Sequence, residues 1–281
     1  MWFSDLIEVM KWLLSLHPKL FFIISKNLLS RPGRFKINDK DHEFLSTAET
    51  IKLQISTINR AAILKKWGEG KKVLVIHGWA GRGIQLKEHI KKLKDHGHEV
   101  TMLDFPAHGE APGKATSVFE FIHTLKKVIS ENSFDAFIAH SVGCAALLGS
   151  LSSDSETPLV LFAPHYDLYE SLTKMMRKHG LKNDFIEKVL RLYEDHYQIS
   201  FDSFNPKNIA PIYKGKVLIY HDEEDGALPS THSQKLSDAF ADAQYIETKG
   251  LGHNRILKDE KIVEEVFRFI EEGTKALLKK N

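Results

Sequence analysis

Six short apolar runs alternate with helix-like segments over most of this chain, and that rhythm restricts the fold more than any other feature. The runs are 73–77, 99–104, 134–140, 158–162, 216–221 and 243–247, with helical patterns near 83–96, 116–130, 141–151, 229–240 and 258–278. A short run that is apolar throughout needs cover on both faces, and a helix between successive runs is the connection that parallel strands require. The expectation is an α/β fold: a mostly parallel sheet with helices on both faces. Ahead of it, Ile51, Leu53, Ile55 and Ile58, then Ala62, Leu64 and Trp67, alternate in strand fashion and predict an antiparallel pair entering the sheet. At 281 residues, 42% of them hydrophobic, the chain has material for one large domain or two small ones.

The rhythm fails once. Between Pro164 and Lys214 there are two helical patterns and no clear strand. Leu168, Leu172, Met175 and Met176 form one apolar stripe; Phe185, Ile186, Val189, Leu190, Leu192 and Tyr193 form the other. From the pattern alone these helices either cover a site or are extra packing with no substrate contact.

The first segment is set off by Ser30-Arg31-Pro32-Gly33-Arg34. It is rich in large apolar side chains, and Trp2, Leu6, Met10 and Leu13 fall on one helix face. Asp5, Glu8, Lys11, Lys19 and Lys26 interrupt it, so no uncharged run approaches the ~20 residues that span a bilayer. It lacks the basic start and small-residue cleavage site of a secretory signal. The expectation is that it docks as helices on the body of the protein or on a twin subunit, as in a homodimer. Peripheral contact with a membrane surface is the alternative. A formal charge of +2 supplies no strong field for nucleic acid. The single cysteine, Cys144, excludes an intramolecular disulfide and fits a cytoplasmic setting.

The chemistry centres on Ala139-His140-Ser141-Val142-Gly143, which joins an apolar run to an apolar helix-like one. A serine at a strand-to-helix turn stands on a sharp corner at the positive end of a helix. The form is G-x-S-x-G with alanine in place of the first glycine. A serine hydroxyl is a poor nucleophile and needs a base within reach. Downstream, the acidic turn Asp222-Glu223-Glu224-Asp225 follows a strand-like run, and Gly250-Leu251-Gly252-His253 follows another. Upstream, Val73-Leu74-Val75-Ile76 runs into His77-Gly78-Trp79, and Asp104-Phe105-Pro106-Ala107-His108-Gly109 closes the next strand.

Taken in this order, the set resembles the α/β-hydrolase superfamily over roughly residues 50 to 275. The resemblance implies an α/β-hydrolase core at 36–164 and 213–281 and a helical cap at 165–212, and the apolar segment ahead of them is expected as an N-terminal helical extension at 1–35. It implies Ser141 as nucleophile and His253 as base. Asp225, four residues after a strand-end histidine and four before a proline, matches the superfamily's acid; Asp222 is the second candidate, where that pattern usually has glycine, and Asp167 the third. The main-chain N–H groups of Val142 and Trp79 are the expected oxyanion donors. Trp79, Met176 and Tyr193 are the expected walls of the substrate pocket. His77, His108 and His140 receive structural parts. Consecutive carboxylates in a tight turn cannot all face one ion, so no metal is expected, and no cofactor.

The implied reaction is cleavage of a small-molecule carboxylic ester by acyl transfer to water. The cap carries Tyr166, Tyr169, Tyr193 and Tyr197 and only Arg177 and Arg191, which favours a small or medium apolar acyl group over a phosphorylated one. A thioesterase or acyltransferase would use the same triad. A non-catalytic hydrolase-like binding protein is the reading from another class, and such proteins usually lack a triad member.

Overall fold

Val73, Leu74, Val75 and Ile76 are fully buried, and their alternation decides which helix each one meets. In the computed structural model, which describes residues 17–33, 37–152 and 154–278, they lie at the centre of an eight-stranded sheet. The strands are β1 Glu49–Ile55, β2 Arg60–Trp67, β3 Lys71–Ile76, β4 His98–Asp104, β5 Ala136–His140, β6 Leu159–Phe162, β7 Val217–Asp222 and β8 Ala243–Thr248. Their order is β1-β2-β4-β3-β5-β6-β7-β8. β2 runs antiparallel to both neighbours and the remaining pairs are parallel.

Successive residues of a strand face opposite sides, so one strand supplies two cores. Val73 and Val75 join Val100, Met102, Ile138 and Val160 under the helices Lys87–Asp95 and Glu260–Leu278, which contribute Ile90, Leu93, Ile262, Val266 and Ile270. Leu74 and Ile76 join Leu103, Phe137, Ala139 and Leu161 on the other side, under Val118–Glu131 and Val142–Leu148, with Phe121, Leu125, Cys144 and Leu147. All residues of β5 and β6 are buried, as a strand covered on both faces requires. The sequence expectation of a mostly parallel, doubly covered sheet is what the structure has.

After β6 the chain leaves the sheet through two helices, Leu168–Lys178 and Asn183–Tyr197, before returning at β7. The exit and the return are tied together. The Asp167 carboxylate accepts from the Glu170 N–H at 2.9 Å, Asn205 Nδ2 at 2.8 Å and Lys207 Nζ at 2.6 Å. Asn205 Oδ1 in turn accepts from the Leu168 N–H at 3.0 Å. Beyond this neck, Tyr197 stacks on Phe119 with ring centroids 5.2 Å apart and donates its hydroxyl to Glu120 Oε1 at 3.1 Å, which fastens the second helix to Val118–Glu131.

The helix Pro18–Ile24 starts with proline, whose missing N–H costs nothing at a helix start. It packs on Asn183–Tyr197: Phe21 meets Phe185 edge-on at 5.2 Å and Phe22 meets Tyr193 at 4.8 Å. Ser25 Oγ lies 2.8 Å from Tyr193 Oη, and the Ser30 carbonyl accepts from the Thr116 N–H at 3.0 Å. This part of the N-terminal segment therefore bridges the helical excursion and the core. The face formed by Trp2, Leu6, Met10 and Leu13 lies outside the described residues. Among the described residues no helix is long and apolar enough to cross a membrane.

Candidate active site

Ser141 follows the last residue of β5 and precedes the helix Val142–Leu148, with φ 53° and ψ −127°. Such a conformation costs a non-glycine residue about 1–3 kcal/mol and persists only where surrounding bonds impose it. Here the Ser141 N–H donates to the Phe162 carbonyl at 2.8 Å, and the Ser141 carbonyl accepts from the Cys144 N–H at 3.0 Å. Glycine at 143 is obligatory for the same corner, because a Cβ there would stand 2.3 Å from the His77 carbonyl oxygen. A Cβ on Gly78 would stand 2.8 Å from Ser141 Cβ, so the turn after β3 lies directly against the serine. The alanine that replaces the first glycine of the motif is tolerated because Ala139 lies in β5 with its methyl group in the apolar core.

His253 and Asp225 come together from different loops. His253 Nδ1 lies 2.6 Å from Asp225 Oδ2. With a carboxylate as partner, Nδ1 carries the proton and Nε2 keeps its lone pair. The Asp225 side chain is 1% exposed. Its Oδ1 accepts the N–H groups of Ala227 at 2.7 Å and Leu228 at 3.0 Å, and its Oδ2 also lies 3.2 Å from His221 Nε2. Burial acts to raise the pKa of this carboxyl, but the donors from His221, His253 and Leu228 prevail and hold it far below the usual carboxylate range.

Asp222, the competing candidate, has no bond to His253 among the described residues; its partners are Thr248, Leu251 and Glu224. Asp167 is engaged in the neck described above. The Ser141 hydroxyl forms no hydrogen bond to His253 among the described residues, and contact between the two segments runs through the adjacent residue. His140 Nε2 donates to the His253 carbonyl at 3.0 Å, and the two rings lie 4.6 Å apart. Catalytic hydrogen bonds are often loose before substrate arrives.

The Val142 and Trp79 N–H groups have no protein acceptor among the described residues. Two histidines hold the turn that carries Trp79. His77 Nδ1 donates to the Gly78 carbonyl at 2.7 Å while its Nε2 accepts from the Phe105 N–H at 3.2 Å. His108 Nδ1 lies 3.1 Å from the Pro106 carbonyl and its Nε2 accepts the Ala80 N–H at 3.0 Å, which steadies Ala80 at φ 52°. Each ring ties β3's terminal turn to the segment after β4. Trp79 is 39% exposed, and its ring lies over Phe121 at 6.2 Å. Met176 is half-buried near the end of Leu168–Lys178. Tyr193, the third expected pocket wall, has its hydroxyl at Ser25 and its ring between Phe22 and Phe119, so it takes part in the contact with the N-terminal helix.

Burial also governs three histidines that stay neutral. His77 and His89 are pushed down to about 4, and His140 to about 3 with a further contribution from neighbouring His253. In the unfolded chain each titrates near 6.5. A folded value below the unfolded one means that the unfolded state binds more protons in between. The stability these groups permit is present above about pH 6.5 and falls as pH drops toward about 4. Among the described residues His89 has no hydrogen-bond partner on either nitrogen, and it packs on Phe162 at 5.3 Å. Urea unfolding across this window is therefore expected to show a steep acid loss. His89→Leu should flatten it by up to roughly 1.4 kcal/mol per pH unit; an unchanged slope would remove His89 from the account.

Among the described residues no group of three or more His, Cys, Asp or Glu side chains is arranged to hold a metal ion. Cys144 is buried with Sγ 3.6 Å from the Phe162 carbonyl, and burial pushes its thiol up, far from thiolate reactivity.

No protein family and no curated protein matches the chain by sequence. Solved structures do match it in shape. An esterase of Pyrococcus furiosus is 18% identical, with a TM-score of 0.62 over 87% of this chain and 97% of its own. A putative lipase of Acinetobacter baumannii is 15% identical, with a TM-score of 0.62 over 87% of this chain and 100% of its own. An esterase of Exiguobacterium antarcticum is 14% identical, with a TM-score of 0.60 over 79% of this chain and 100% of its own. At such identities the likeness is one of fold. The chain has the α/β-hydrolase fold.

Proposed function

We propose that the protein is a serine hydrolase of carboxylesterase type, acting on small-molecule esters of small or medium apolar acyl groups. The observation that carries the reading is the buried Asp225 on His253 Nδ1 at 2.6 Å, beside the strained corner of Ser141. That pairing leaves Nε2 as the basic atom. Ser141 attacks the ester carbonyl as His253 takes its proton, and the developing oxyanion is met by the Val142 and Trp79 N–H groups. The imidazolium, stabilised by Asp225, returns the proton to the departing alkoxide. Water, deprotonated by His253, then releases the acid from the acyl-enzyme. This sequence calls for no metal or cofactor.

In this reading residues 165–212 act as a cap, Trp79 and Met176 wall the acyl site, and the N-terminal segment steadies the cap. The three esterase and lipase neighbours support ester hydrolysis by analogy of fold. The lone buried cysteine supports a cytoplasmic setting. The test is a panel of p-nitrophenyl esters and coenzyme A thioesters of graded chain length, assayed with a fluorophosphonate probe of the serine. Turnover of short and medium p-nitrophenyl esters together with probe labelling is expected. Preference for the thioesters would make the protein a thioesterase. Absence of both turnover and labelling would make it a binding protein.

A further inference from the structure

Asp222 is the last residue of β7 and is 1% exposed, yet it is an ionisable side chain that the proposed chemistry does not use. Everything that reaches its carboxylate is a donor. Thr248 Oγ1 at 2.7 Å and the Leu251 N–H at 3.0 Å meet Oδ2, and the Glu224 N–H at 3.1 Å meets Oδ1. The Gly252 N–H also favours the charged form. Burial acts to raise the pKa of this carboxyl, and the N–H and O–H groups around it together bring it below its usual range, so it is ionised.

The origin of the donors is what matters. Glu224 belongs to the turn that carries Asp225. Leu251 and Gly252 immediately precede His253. We propose that Asp222 is a positioning residue: its buried carboxylate clasps the His253 loop to the Asp225 turn and so sets the base against its acid. The inference rests on the proposed roles of His253 and Asp225.

The lead-in to the short helix Gly252–Arg255, which carries His253, takes its path from contacts more than from its own residues. Gly250 and Gly252 sit at φ 83° and 63°, in a region glycine enters without cost and leaves as easily. The main chain of His253 is gripped on its far side by His140 Nε2, which donates to the His253 carbonyl at 3.0 Å. Asp222 grips the near side through the Leu251 N–H, two residues before His253. A carboxylate suits this place better than an amide, since an asparagine would aim its own N–H groups at donors. A displacement of about 1 Å in such a site can cost roughly a hundredfold in rate.

The test uses the full chain with Asp222→Asn, Asp222→Ala and Thr248→Val, well below the melting temperature of each. Three quantities are read: kcat and KM on a p-nitrophenyl ester, the rate of fluorophosphonate labelling at Ser141, and the far-downfield proton resonance of the His253–Asp225 hydrogen bond. The expected result for either Asp222 variant is a kcat lower by roughly ten- to a hundredfold, KM within about twofold, and labelling slowed by the same factor. The His253–Asp225 resonance should shift or vanish while the sheet's circular dichroism is kept. Thr248→Val removes one of the donors and should give the same changes in weaker form, which keeps the test alive if the Asp222 variants do not fold. An intact resonance and unchanged kcat, with only the melting temperature lowered, would overturn the clasp. If the wild-type chain neither turns over esters nor labels, the proposed function fails instead, and the resonance still decides the clasp.

Discussion

Replacing Ser141 by alanine is expected to lower ester turnover by at least about 10⁴-fold and to abolish fluorophosphonate labelling, with the fold intact. The residual rate would come from the main-chain donors at Val142 and Trp79, which need no side chain from residue 141. Ser141→Gly should be equally inactive and yet at least as stable as wild type. Glycine occupies φ 53° without the strain of about 1–3 kcal/mol that serine carries there. A null enzyme that melts no lower would locate the strain at the nucleophile. Substantial turnover in either variant would place the chemistry elsewhere in the molecule, and the serine-hydrolase reading would fall.

Asp225→Asn is expected to lower kcat by about 10⁴-fold, and the geometry gives the reason. The Oδ1 position accepts two main-chain N–H groups, from Ala227 and Leu228. An asparagine must keep its oxygen there, which turns its NH₂ toward His253 and His221. His253 Nδ1 then has to accept, the ring proton moves to Nε2, and the atom that should take the serine proton is blocked. Because Asp225 is ionised far below its ordinary range in the folded protein, its contribution to stability is present above about pH 4 and would be lost only as pH falls. The variant should therefore also be less stable at neutral pH, measured by urea unfolding. Asp222→Asn should cost far less in kcat; equal losses at the two positions would mean that the acid and the clasp have been assigned to the wrong aspartates.

Much of this architecture was legible beforehand, and the reason differs from element to element. Strands such as 73–77 and 99–104 announce themselves because a parallel sheet buries both faces and leaves an unbroken apolar run. The corner at Ser141 is announced by small residues at contacts where larger ones would collide, as Gly143 does against the His77 carbonyl. The insertion of β3 between β4 and β5 is not announced, because strand order depends on how crossovers pack and leaves no periodic trace. The neighbours of Tyr193 were not legible from its stripe for a related reason. An apolar face shows that a helix is covered, without saying by what, and here the cover on Tyr193 is the helix Pro18–Ile24.

By itself, then, the sequence determined the layers, the antiparallel entry, the sharp turn at Ser141 and the chain order of Ser141, Asp225 and His253. These follow from local patterning, where each residue's role is set by neighbours a few positions away. Only the tertiary structure shows which of the two aspartates of one turn meets His253. Asp222 and Asp225 lie three residues apart and have the same chemistry, so their side chains differ only in direction. Direction was settled by partners far along the chain: Thr248 and Leu251 for Asp222, and His253 for Asp225. A carboxylate goes where donors await it, and those donors are assembled only when β7 and β8 are laid side by side.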